Sequence, residues 1–126
     1  EGMPHHITQR GNRRQQTFFS EDDYKAYREL MAEWCGKYDV QIWAYCLIPK
    51  HIHLIAVPSK KETLRLAIGE AHRRYTRRIN FSKGWRGHLW QDIFSSFVMI
   101  GSAFCRKRIL VIKWKFLANM NELDGF

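Results

Sequence analysis

Acidic residues are in short supply in this chain. Across 126 residues, 12 Asp and Glu face 21 Lys and Arg, giving a formal charge of +9 and a sequence pI near 9.8. A compact domain that basic is expected to meet a polyanion, either nucleic acid or an acidic membrane surface. Long apolar runs are missing too. None approaches the ~20 residues of a membrane-crossing helix, so insertion into a bilayer is not expected. Cysteine is scarcer still, with only Cys35, Cys46 and Cys105 and no CxxC pair. An odd, scattered set argues against a disulfide framework or a zinc site and reads as reduced thiols of a cytoplasmic protein. No repeat, low-complexity stretch, linker or signal peptide is visible. Glu1-Gly2 precede Met3, so the chain is expected to begin inside a longer reading frame or to carry added residues at its start.

What is present suffices for one core. The apolar fraction is 45%, and this length suits a single domain. His5 to Gln9 reads as a short strand, followed by a basic loop, Arg10-Gly11-Asn12-Arg13-Arg14. Ser20 before Glu21-Asp22-Asp23 is an N-cap with acids in the first helical turn. Tyr24, Tyr27, Met31, Trp34 and Tyr38 follow at helical spacing as one apolar face. Val40 to Ile48 and His51 to Val57 are rich in β-branched and aromatic residues, and their short connection predicts an antiparallel pair.

A second helix is predicted from Glu62 to Asn80, burying Leu64, Ile68, Ala71, Tyr75 and Ile79. Phe94 to Ile100 reads as a last strand. Arg106 to Phe116 is compatible with strand or helix. Strand, helix, two strands, helix, strand is the order of a ferredoxin-like α+β fold, an antiparallel sheet with helices on one face.

His51-Ile52-His53 opens the third strand. Alternation puts both imidazoles on one face, a double step apart, where together they can bind one divalent ion. The plain alternative is an amphipathic strand with two surface histidines. The second helix carries Arg65, Arg73, Arg74, Arg77 and Arg78 with few acidic neighbours. These arginines, with Arg10, Arg13 and Arg14, are candidate phosphate contacts, against the alternative of a solvated charged face. His72 lies within this cluster and is expected to be solvated. His5 and His6 either touch phosphate or are ordinary surface. His88, beside Trp90, either contacts DNA or closes a turn.

Four segments taken in order resemble the REP-associated tyrosine transposases, of the single-tyrosine, insertion-sequence-200-like branch of the HUH transposases. They are Pro4-His5-His6-Ile7-Thr8-Gln9-Arg10-Gly11-Asn12-Arg13, the stretch from Ala44 to Leu54 that carries His51 and His53, the helical segment Arg73 to Asn80, and Gly87-His88-Leu89-Trp90-Gln91. The resemblance implies a homodimer of ferredoxin-like domains that binds hairpin or single-stranded DNA and cleaves single strands. It also implies that His51 and His53, with a further polar residue, hold Mg²⁺ or Mn²⁺ at the scissile phosphate. Mg²⁺ prefers oxygen donors, so Mn²⁺ suits the imidazoles better. In the family a helix-borne tyrosine then attacks and becomes joined to the 5′ end.

The resemblance stops near Met99. Residues 1–100 read as the transposase-like domain and residues 101–126 as a non-matching tail, as expected of a copy whose frame has shifted or been cut. The family's tyrosine follows the Trp-Gln motif, but no tyrosine here lies beyond Tyr75. Val111 and Trp114 stand at the expected distance. Asn119 and Asn121 are the candidates for a third ligand. Tyr75 is the remaining candidate nucleophile, and its place on the apolar stripe predicts packing instead. The expectation is a degenerate transposase that still binds DNA, the alternative a nucleic-acid-binding module without catalysis.

Overall fold

A computed structural model describes residues 2–91 and 94–98. The expected tail, its candidate ligands Asn119 and Asn121, and the end of the last strand lie outside these residues. In chain order the elements are β1 (His5–Arg10), a 3-10 turn (Asn12–Arg14), α1 (Glu21–Lys37), β2 (Val40–Ile48), β3 (His51–Pro58), α2 (Thr63–Lys83) and β4 (Ser95–Val98). The sheet order is β2-β3-β1-β4, with every neighbouring pair antiparallel. This is the ferredoxin-like α+β arrangement expected from the sequence.

Local chemistry fixes the start of the first helix and the end of the second. Ser20 Oγ accepts from the Asp23 amide at 3.3 Å, and Asp23 Oδ2 accepts from the Phe19 amide at 2.9 Å. The first bond satisfies a donor that a helix N-terminus otherwise leaves open, and the second ties the preceding residue to the first turn. The second helix runs past Asn80 to Lys83. It stops where Gly84 adopts a left-handed φ of 69°, a conformation that costs glycine little.

The two helices cover one face of the sheet. Ile7, Tyr45, Leu47, Ile52, Leu54 and Ala56 meet Tyr27, Met31, Cys35, Leu64, Ala67, Ile68, Ala71, Tyr75 and Ile79 there. On α1 the fully enclosed line is Tyr27, Met31 and Cys35, at four-residue intervals. Tyr24, Trp34 and Tyr38, expected on the same face, pack at its margins.

Phe18, from the loop before α1, anchors an aromatic cluster. It lies 4.4 Å from Tyr24 in a stacked pair and 5.3 Å from Tyr27 edge-on. His72 belongs to this cluster, not to solvent as its arginine neighbours suggested. It stacks on Trp90 at 4.7 Å, and its Nε2 lies 2.6 Å from the Tyr27 hydroxyl. Trp90, which follows α2 in sequence, encloses a helical position that lies beside the expected apolar stripe.

Candidate metal and nucleic-acid site

Pleat alternation and strand register build the site. On β3, Ile52, Leu54 and Ala56 turn toward the helices, so His51, His53 and Ile55 turn to the opposite face. His51 follows directly on the two-residue Pro49-Lys50 connection, paired with Ile48 of β2. His53 pairs with Cys46 on that side. Across β1, His51 faces Arg10 and His53 faces Thr8. One exposed guanidinium-bearing residue thus stands opposite the first histidine.

The His51 and His53 rings are 5.0 Å apart, nearly perpendicular, and both are half-buried. His6, on the same face of β1, pairs with Ile55 and so sits diagonally from His53. It is only 6% exposed. The sequence offered it as a phosphate contact or a surface residue, but β1 places its ring against His53. Among the described residues no group of three His, Cys, Asp or Glu is arranged to hold a metal ion. His51 and His53 are the two imidazoles here that could share an ion. Two imidazoles leave the other coordination positions of a divalent ion to water or a phosphate.

Three of the quoted segments are stitched together at this end of the sheet. The Gly11 amide donates to Lys50 O at 2.9 Å, and the Asn12 amide donates to Leu89 O at 2.7 Å. The Gln91 amide donates to Arg10 O at 2.8 Å, and Asn12 Nδ2 donates to His88 O at 3.3 Å. Gly11 is required by space. A β-carbon there would stand 2.1 Å from the Gln15 carbonyl oxygen. Arg13 and Arg14 follow with φ of 54° and 59°, a left-handed conformation rare for side-chain-bearing residues, and both are exposed. Arg10, Arg13, Arg14 and His88 therefore belong to one folded unit at the His51 end of the sheet.

The arginines of α2 lie elsewhere. Because α2 packs on the face opposite His51 and His53, Arg73, Arg74, Arg77 and Arg78 are on the far side of the sheet. Arg73 and Arg74 both pair with Glu70, the latter through its Nε at 3.1 Å, and Arg74 also covers the Trp34 ring at 4.5 Å. Arg78 reaches Asp23 at 3.5 Å. Arg77 has no ion pair among the described residues. An open cleft of about 410 Å³ lies beside α2, lined by Gln9, Arg65, His72, Arg73, His88 and Trp90 among others. It holds neither His51 nor His53.

Tyr75 is wholly enclosed on this helix side, and its hydroxyl donates to Thr17 O at 2.7 Å. Burial, then the neighbouring Asp23 carboxylate, pushes its pKa well above the usual phenol value. The other four tyrosines also pack within the helix-side core or against it.

Comparison with known proteins follows the same lines. The sequence profile of the family described as "Transposase IS200 like" matches residues 1–104. Among solved structures, a REP-associated tyrosine transposase bound to a REP hairpin superposes with a TM-score of 0.65 at 18% identity. That match covers 89% of this chain, which spans 65% of the length of that one. A protein from Deinococcus radiodurans R1 assigned as a transposase superposes with a TM-score of 0.63 at 15% identity, covering 90% of each chain. These likenesses show a common fold. A search of curated protein sequences finds no match. The profile spans every element described above, and on that ground the chain belongs to the IS200-like transposase family.

Proposed function

We propose that this chain binds hairpin or single-stranded DNA as a homodimer, through a domain formed by residues 1–100, and engages a scissile phosphate at His51 and His53. The observation that carries the reading is the juxtaposition on one sheet face. Two imidazoles a strand's double step apart stand with Arg10 directly opposite His51. When bound there, Mg²⁺ or Mn²⁺ would supply Lewis-acid polarisation of a phosphoryl oxygen. His51 and His53 would hold the ion through ring nitrogens, and Arg10 would orient the phosphate by charge-assisted hydrogen bonds. Arg13 and Arg14, joined to the same end of the sheet, would track the adjoining backbone, and His88, lining the cleft with Arg65 and Arg73, would meet it on the helix side. Arg73, Arg74, Arg77 and Arg78 would meet duplex phosphates that wrap to the helix side.

The family's covalent step needs a phenol in line with the phosphate, within ~3–3.5 Å. The five tyrosines of this chain all pack on the helix side or against its core, and Tyr75 spends its hydroxyl on a backbone carbonyl. The reading is therefore a degenerate transposase: it binds DNA but lacks a phosphotyrosine nucleophile of its own. The test is incubation with labelled hairpin DNA and Mn²⁺, followed by a denaturing gel. Bound DNA without a covalent adduct is the expected result. An adduct that disappears in Tyr75→Phe would overturn the assignment of that side chain to the core. Absence of any DNA binding would remove the proposal altogether.

A further inference from the structure

The geometry points to His6 as the positioning residue of this site: it accepts a hydrogen bond from Nδ1 of His53 and so sets that ring's lone pair on Nε2, the nitrogen through which His53 would hold a metal ion. The inference rests on the reading of His51 and His53 as metal ligands. His6 Nε2 lies 3.2 Å from His53 Nδ1, and the two rings are nearly parallel, with centroids 5.4 Å apart. A neutral imidazole has one N–H and one lone pair, so a bond between two of them admits two arrangements. If His6 donates, His53 accepts at Nδ1, its proton sits on Nε2, and that nitrogen cannot bind a cation. If His53 donates from Nδ1, its Nε2 is unprotonated and points its lone pair away from His6. Only the second arrangement is compatible with His53 as a ligand through Nε2.

Burial makes the partnership more than incidental. His6 is 6% exposed, and a buried ring nitrogen needs a hydrogen-bond partner. The register holds the pair in place from two strands, since His6 is paired with Ile55 and His53 with Thr8. A partner fixed by the backbone of a neighbouring strand limits the rotation of the His53 ring, and with His6 as the acceptor it also sets the tautomer. That is how outer partners tune metal-binding histidines generally.

The experiment is ¹⁵N NMR of the ring nitrogens in the full, metal-free chain at alkaline pH, where an imidazole is neutral. His53 is expected with its proton on Nδ1. In His6→Ala the proton should redistribute to Nε2, and Mn²⁺ affinity measured by calorimetry should fall by roughly 10–100-fold. His6→Gln, whose amide oxygen can accept the same bond, should restore most of both. Finding His53 protonated on Nε2 in the unmodified chain overturns the inference, and that measurement requires no variant to fold. So does an unchanged tautomer and affinity in His6→Ala. If the tautomers behave as expected but His51→Ala with His53→Ala leaves Mn²⁺ binding intact, the hydrogen bond stands and the metal-site reading fails.

Discussion

His72 and His53 are the same residue in opposite circumstances, on the two faces of one sheet. On the helix side His72 is enclosed between Trp90 and Tyr27, and burial drives its pKa down to about 3. The Tyr27 phenol is pushed well above its usual value, mainly by the same burial, so it remains the donor and His72 Nε2 the acceptor. His72 is thus a neutral packing group. His53 is half-buried among polar partners: Thr8 across β1, His6 on the diagonal and His51 two residues back. One face holds a histidine by excluding charge, and the other arranges histidines where a charge could be received. Stability should reside chiefly on the first face and chemistry on the second.

The largest expected effects separate the faces outright. Phe18→Ala removes a ring that touches Tyr24, Tyr27, Tyr75 and Trp90, and should cost about 3–5 kcal/mol in urea denaturation. His51→Ala with His53→Ala should abolish Mn²⁺ binding in calorimetry while costing less than about 1 kcal/mol of stability. A double variant that unfolds, or one that still binds Mn²⁺, breaks the comparison.

Acid should find the helix side first. The folded-state pKa of His72 lies below its ordinary value of 6.5, so the unfolded chain takes up a proton that the folded chain refuses. The neutral ring's contribution is fully present above about pH 6.5 and falls away as pH drops toward about 3. At its steepest that loss is about 1.4 kcal/mol per pH unit. Denaturation curves over this range should show the slope in the parent and lose it in His72→Gln. Equal slopes would place the acid sensitivity elsewhere.

The elements were legible because each carries its own local signal. Ser20 with Asp23 marks a helix start, and the spacing of Leu64, Ile68, Ala71, Tyr75 and Ile79 marks a buried stripe. Alternation likewise put His51 and His53 on one face. Strand register could not be read in the same way, because it depends on which residues meet across β1 and β3. That register brings His6 to His53 and Arg10 to His51. His72 was misread for a related reason. Its helical position fits a buried line through Ile68 as well as Ala71 does, and the side chain that encloses it, Trp90, comes from a distant segment. The arginines of α2 were legible as a cluster. That the sheet separates them from the histidine pair, and that Glu70 and Asp23 engage three of them, emerges only in the folded chain.

That separation gives the smallest and most discriminating prediction. Each lost phosphate contact should lower the slope of log K against log salt by about 0.9 for duplex DNA. Arg77 has no ion pair among the described residues, so Arg77→Gln should report a phosphate contact with little effect on stability. Arg78 reaches Asp23, but its side chain is 44% exposed, so Arg78→Gln should cost at most about 1 kcal/mol. If the two faces divide the DNA between them, Arg77→Gln lowers the slope for a hairpin and leaves a short unpaired strand unaffected. Arg10→Gln should weaken both, because Arg10 stands opposite His51 on the face proposed to engage the phosphate. Equal losses for both DNAs in Arg77→Gln would mean that a single strand also reaches α2, and the division of labour between the faces would have to be abandoned.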